Sequence, residues 1–344
     1  MADSTSFEKN TIVVGSGYWG KNLVRNFHEL GALHGICETD PERLSQFAEQ
    51  YEGIREYHTF QEALDDGDIP NIAIATPAET HYELVSKALN AGKNVFVEKP
   101  LALTFSQGKR LVDKAVEKNR VLFVGHLLEY HPAVDKLAEL VADGELGELH
   151  YIYSNRLNLG KFRHEENILW SFAPHDISVI LKLLHQMPIE VSCYGGSYLQ
   201  PNIADTTVTN MVFESGSRAH IFVSWLHPFK EQKLVVIGSK KMAVFNDVVS
   251  EGKLMLYDQG ADWVDNRPVP RKKEGEPVDF EEWEPLKEEC RAFLADAEAG
   301  RRPVTDGYNG LRVLKVLQAS SHSLQTGGKP VPIYESYEAL NANE

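Results

Sequence analysis

The sequence predicts an α/β protein built from two parts: an N-terminal doubly wound parallel sheet, then a C-terminal α+β domain with a large, mainly antiparallel open sheet. Three observations predict this. Up to about residue 125, short continuous apolar runs alternate with helical patterns, which is how strands buried on both faces read. Beyond residue 126, strand-like runs follow one another with few helices between them. A glycine-rich turn, Gly15, Gly17 and Gly20, joins the first apolar run to the first helical pattern. With 344 residues there is room for two domains, placed at 1–125 and 126–344.

The elements follow in order. Thr11 to Val14 is a short buried strand. Leu23, Val24, Phe27 and Leu30 recur at helical spacing, and Gly31 stops that helix. A second strand ends near Cys37. Asn71 to Thr76 is an apolar strand broken by Pro77, and a helix follows from about Glu79 to Ala91. Asn94 to Pro100 is a strand ending in proline, Thr104 and Gln107 form a capping box, and Val121 to Gly125 is a further strand. In the second part, a helix near Pro132–Val141 leads to a strand over His150–Leu157, and another helix is expected over Pro174–Leu184. Six strand-like runs then lead to Tyr257. Residues 262–280, rich in charge and proline, read as a surface loop. Two helices close the chain at about 284–326 and are candidates to pack back toward the first domain.

Composition narrows the function. A net charge of −15 disfavours nucleic-acid and membrane partners, because phosphates would be repelled. Three scattered cysteines fit a reducing compartment and exclude a disulfide scaffold. No cluster has metal-ligand spacing, so no metal is expected. MADSTSFEKN lacks the charged and apolar regions of a signal peptide, and a cytoplasmic location is expected.

The chemistry begins at G-x-G-x-x-G. Gly15 permits the tight turn, Gly17 lets the backbone approach a pyrophosphate, and Gly20 lets helix and strand pack closely. Glu38 lies close to the spacing of about 20 residues at which an acid accepts ribose hydroxyls; it would repel a 2′-phosphate, so NAD is favoured over NADP. Residues 1–125 thus read as an NAD-binding Rossmann domain. Glu98-Lys99-Pro100 stands where a parallel strand ends, the edge that faces ligand in such sheets. A lysine there suits proton transfer if its surroundings lower its pKa, although such a tripeptide is also common at solvated strand ends.

The segments GSGYWGKNLVRNF, IATPAETH, VEKPLALT and PHDIS closely resemble the glucose–fructose oxidoreductase and inositol dehydrogenase (Gfo/Idh/MocA) family, in order and spacing over nearly the whole chain. The resemblance implies a homo-oligomeric sugar oxidoreductase, as a dimer or tetramer. It makes Lys99 the catalytic acid–base group, with a cis Lys99–Pro100 bond, and His175 its active-site histidine. Thr76, Pro77 and His81 match the stretch beside the nicotinamide ribose, Tyr18 and Trp19 match residues over the pyrophosphate, and Glu98 and Lys99 count as cofactor contacts too. In one departure, Ser171 stands where many members carry an aspartate; Asp176 substitutes only if its side chain points the same way. Arg156, Lys161 and Arg163 suggest an anion contact, with Asn155, Ser171 and Asp176 as further substrate residues. The block from Tyr151 to Leu181 is most similar to UDP-N-acetylglucosamine(-uronate) 3-dehydrogenases, which implies hydride transfer from a sugar 3-hydroxyl to NAD. The alternatives are a family dehydrogenase acting on a free sugar or inositol, and an NAD(H)-binding regulatory protein without turnover.

Overall fold

The computed structural model describes residues 7–340; what the sequence implies for 1–6 and 341–344 lies outside the described residues. The chain divides into two compact units. One runs to Tyr130 and takes in Trp283–Leu314; the other holds His131–Glu282 and the chain from Lys315 onward.

In the first unit, strands β1 (Thr11–Val14), β2 (Leu33–Cys37), β3 (Arg55–Tyr57), β4 (Asn71–Ile74), β5 (Asn94–Glu98) and β6 (Leu122–Gly125) form one sheet in the order β3-β2-β1-β4-β5-β6, parallel throughout. This is the doubly wound dinucleotide-binding order, whose ligand crevice lies beyond the strands' carboxyl ends. Helices α1 (Gly20–Glu29), α2 (Pro41–Gln50), α3 (Phe60–Asp65), α4 (Ala78–Asn90) and α5 (Phe105–Lys118) connect the strands. No element was expected from the sequence where α2, β3 and α3 lie. Their apolar positions are sparse, and their caps are the clearer signal: Asp40 accepts from Glu42 and Arg43, and Thr59 from Glu62. At α5 the box is half made, because the Thr104 hydroxyl accepts from the Gln107 amide while the Gln107 side-chain oxygen has no partner.

Helix α8 (Pro285–Ala299) belongs to this unit through its apolar face. Phe293 packs edge-on against Phe27, Phe96 and Phe123, with ring centroids 5.7–6.2 Å apart, beside buried Leu286, Cys290 and Leu294. Helix α9 (Gly307–Gln325) begins in the first unit and ends in the second.

The second unit holds a nine-stranded sheet. Its strands are β7 (Leu149–Leu157), β8 (Pro188–Gly196), β9 (Thr206–Phe213), β10 (Arg218–Ser224), β11 (Glu231–Gly238), β12 (Met242–Asn246), β13 (Leu254–Tyr257), β16 (Glu276–Pro277) and β17 (Val331–Pro332), ordered β16-β13-β12-β11-β7-β10-β9-β8-β17. Among the described residues, only β7 and β10 pair in parallel within it. Helices α6 (Pro132–Ala142) and α7 (Ile168–Leu184) complete the unit.

Two expectations are corrected. Helix α7 begins at Ile168, not near Pro174: the Asn167 side chain caps it by accepting from the Trp170 amide at 3.2 Å, and Pro174 lies inside the helix. Proline usually marks a helix start because it has no N–H to donate, and that preference gave the wrong boundary. Residues 262–280 are not a structureless loop. Strands β14 (Gly260–Val264) and β15 (Arg267–Arg271) form an exposed hairpin, with Asp265 and Asn266 both at positive φ (49° and 60°), the two-residue turn that favours such residues. Among the described residues, no helix is long and apolar enough to cross a membrane.

Candidate active site

The sheet order brings four segments to one edge of the first unit: the turn after β1, Glu38 after β2, Thr76-Pro77 after β4, and Lys99-Pro100 after β5. In the turn, Gly15 has φ +85°, and a Cβ on it would lie 2.9 Å from the Thr76 methyl. A Cβ on Gly20 would lie 2.0 Å from the Gly15 carbonyl oxygen. A Cβ on Gly17, by contrast, would meet no protein atom within 4 Å, so the open space beside it is room for something other than protein. Tyr18 is exposed, with the Lys21 ammonium over its ring at 5.6 Å.

Glu38 is buried and fully engaged. One carboxylate oxygen accepts from the Ser16 amide and hydroxyl, both at 2.9 Å; the other accepts from the amides of Thr39 (2.9 Å) and Asp40 (3.2 Å); the Arg43 guanidinium stands 3.3 Å away. Burial alone would raise its pKa, but the backbone and hydroxyl donors and Arg43 outweigh it and hold it down at about 2. The charge is therefore fixed at neutral pH. Glycine turn, open space and anchored carboxylate together fit a dinucleotide: Gly15, Gly17 and Gly20 would hold the diphosphate, Glu38 the ribose.

The Lys99–Pro100 peptide is cis, as the family resemblance implies. Lys99 is half-buried. His81, 1 % exposed, reaches the Pro100 carbonyl through Nδ1 (2.7 Å) and the Thr76 carbonyl through Nε2 (2.9 Å), tying the segments after β4 and β5 together. Burial pushes its pKa down, so the ring is neutral and donates to one of these carbonyls at a time. Thr76 also shares a 2.6 Å hydroxyl contact with Thr80.

Behind Lys99 lies a buried polar compartment that the sequence reading missed in part. The Glu98 carboxyl accepts the Trp19 indole N–H at 2.5 Å. Burial pushes Glu98 up to about 7, against the Trp19 bond and the neighbouring Lys99, which both lower it. Glu289 on α8 is 1 % exposed, and neither of its carboxyl oxygens has a partner; burial, then Glu98 and Glu129, raise it well above the ordinary value. His126 is pushed down to about 3, by burial first and then by the Lys99 and Arg312 charges, and is neutral. Glu129 accepts from the Asn309 amide at 2.9 Å, and the Tyr130 hydroxyl meets that of Thr305 at 3.0 Å. Of these residues, Glu289, Asn309 and Arg312 gave no sequence signal beyond their helical spacing.

In the second unit, the structure separates residues that the sequence had grouped. Successive side chains on β7 face opposite ways. Ser154 and Arg156 turn inward, whereas Asn155 turns to the other face and donates to Glu231 at 2.7 Å. The Arg156 guanidinium binds the Asp176 carboxylate through two nitrogens, at 2.9 and 3.1 Å, and Ser154 donates to the same carboxylate at 2.7 Å. The Asp176 carboxylate is therefore committed to Arg156 and Ser154. Arg163 pairs with Glu166 at 3.1 Å, while Lys161 is exposed. Arg156 and Arg163 thus each face an acid just outside the stretch that had looked unbalanced. Ser171 and His175 both lie on α7, Ser171 buried and His175 half-buried. The buried His131 caps α6 by accepting from the Ala133 amide, with Asp247 3.3 Å from its other ring nitrogen.

Comparison with known proteins agrees with this geometry. The family model for the oxidoreductase family with an NAD-binding Rossmann fold matches residues 9–126, and the model for the GFO/IDH/MocA C-terminal domain matches residues 134–244. The chain is similar to a UDP-N-acetylglucosamine 3-dehydrogenase of Acidithiobacillus ferrooxidans, 26% identical over 306 residues, which cover 88% of this chain and 93% of that protein. It is also similar to a myo-inositol 2-dehydrogenase of Thermotoga maritima, 24% identical over 327 residues, covering 91% and 95%. A solved structure of the Acidithiobacillus ferrooxidans enzyme shares the fold, with a TM-score of 0.81 at 24% identity over 92% of this chain and 97% of that one. The protein belongs to the Gfo/Idh/MocA family of NAD-binding oxidoreductases.

Proposed function

We propose that this oxidoreductase oxidises the 3-hydroxyl of a UDP-N-acetylamino sugar, with Lys99 as the acid–base group, and that it works as a homodimer or homotetramer. The observation that carries the reading is the convergence, at one sheet edge, of the glycine turn, the anchored Glu38 and the cis Lys99–Pro100 segment. When bound, NAD supplies a hydride-accepting ring at that edge. The Lys99 amine takes the proton of the sugar hydroxyl as its carbon gives up hydride. His81 holds Pro100, next to Lys99, against Thr76 on the neighbouring segment after β4. His175 is the second group that the family resemblance assigns to proton transfer. Similarity to the UDP-N-acetylglucosamine 3-dehydrogenase supports the choice of substrate.

The test is NADH formation from NAD with UDP-N-acetylglucosamine, its uronate, myo-inositol, scyllo-inositol and glucose in parallel. Turnover is expected with a nucleotide sugar and lost in Lys99→Ala, with NAD affinity nearly intact. Turnover of inositols alone would overturn the substrate, and equal loss of NAD binding in Lys99→Ala would overturn the role of Lys99. Light scattering of the purified chain tests its assembly.

A further inference from the structure

We propose that Trp19 is a positioning residue for this reaction: its indole N–H sets the charge of Glu98, and through Glu98 that of Lys99. The inference rests on Lys99 being the acid–base group. Trp19 belongs to the glycine-rich turn and keeps 37% of its surface exposed, yet its indole nitrogen reaches inward to Glu98 at 2.5 Å. The Glu98 carboxyl has its seat because its sheet partner is Gly125, where an added Cβ would stand 3.1 Å from the carboxyl oxygen.

Every element around this carboxyl contributes a polar or titratable group. From α8 come Glu289, with both oxygens unpartnered, and the Cys290 thiol. From the 3₁₀ turn Leu127–Tyr130 comes Glu129, held by Asn309 of α9. Lys99 follows directly in the chain, and His126 stands beside Lys99 and Arg312. Three buried carboxyl groups share one interior, so ionising any one raises the cost of ionising the next. Burial leaves Glu98 close to the balance point, where one donor decides its state. An N–H donor favours the carboxylate, and a carboxylate beside Lys99 favours the ammonium. Without the indole, Glu98 keeps its proton, Lys99 loses its counter-charge, and Lys99 gives up its proton at lower pH. Because the same turn would hold the diphosphate, its placement and the charge of the base are linked.

Two measurements test this. The first is rate against pH with NAD and UDP-N-acetylglucosamine for wild type, Trp19→Phe, Glu98→Gln and the double variant. The limb that rises with pH as Lys99 deprotonates is expected to move down by about one pH unit in Trp19→Phe. Glu98→Gln should move it the same way, and the double variant no further than Glu98→Gln. The second needs no substrate: tryptophan emission against pH, with and without NAD. A transition near neutrality is expected in wild type and absent in both Trp19→Phe and Glu98→Gln. A Trp19→Phe variant that changes only the KM for NAD, or a Glu98→Gln variant that keeps the emission transition, would overturn the proposal. An active Lys99→Ala variant would instead sink the reading of Lys99 beneath it; an inactive one with an unmoved Trp19→Phe limb sinks the Trp19 proposal alone.

Discussion

Replacing Arg156 by Met separates a structural pair from a substrate contact. Arg156 is 9% exposed and Asp176 3%, and they meet through two hydrogen bonds at 2.9 and 3.1 Å. Losing one partner strands the other charge in the interior, which costs about 3–5 kcal/mol. Ser154 still donates one hydrogen bond to the stranded carboxylate, so the lower part of that range is expected. The second unit holds roughly 180 residues, and at ~2.1 cal/mol/K per residue its unfolding entropy is about 0.4 kcal/mol/K. The expected loss is therefore about 8–10 °C in Tm. Scanning calorimetry of Arg156→Met, Asp176→Leu and the double variant measures it. The double variant should recover most of the loss, because it removes both desolvated charges. A single variant with unchanged Tm but a raised KM for the sugar would show that Arg156 faces substrate, and the reasoning from the pair would be wrong.

Three further outcomes follow from the first unit. Gly20→Ala drives a Cβ into the Gly15 carbonyl, 2.0 Å away, and is expected to weaken NAD binding by about two orders of magnitude, ~2.7 kcal/mol; calorimetric titration showing unchanged affinity would contradict it. Glu38→Ala removes the carboxylate that would face the ribose and releases Arg43, now 3.3 Å from it, so the preference for NAD over NADP should fall by about tenfold, ~1.4 kcal/mol, read from kcat/KM with the two cofactors. The folded-state pKa of Glu38, about 2, lies below its ordinary 4.5. Its stabilising effect is therefore whole above pH 4.5 and is lost as the pH falls through about 2. Glu38→Gln lacks that contribution, so its Tm should fall less steeply than wild type across this window; parallel curves would refute the assignment.

Much of the first unit was legible because its signals are local. Buried parallel strands read as apolar runs at Thr11–Val14, Asn71–Ile74 and Asn94–Glu98, and the glycine turn needs only its own three positions. The second unit misled the sequence reading where a local preference was overruled. Pro174 looked like a helix start, but the cap at Asn167 began α7 earlier, and the hairpin over 260–271 hid behind its prolines and charges.

By itself the sequence determined the buried strands β1, β4, β5 and β6, the glycine turn, the acid after β2 and the lysine–proline pair after β5, because each depends on residues adjacent in the chain. Only the tertiary structure decided which charges meet. Arg156 was claimed by Asp176, Glu98 by Trp19, and Glu289 was enclosed among other acids by a helix that returns from far along the chain. Pairing and burial are set by packing between distant segments, and no periodicity or spacing along the chain encodes them.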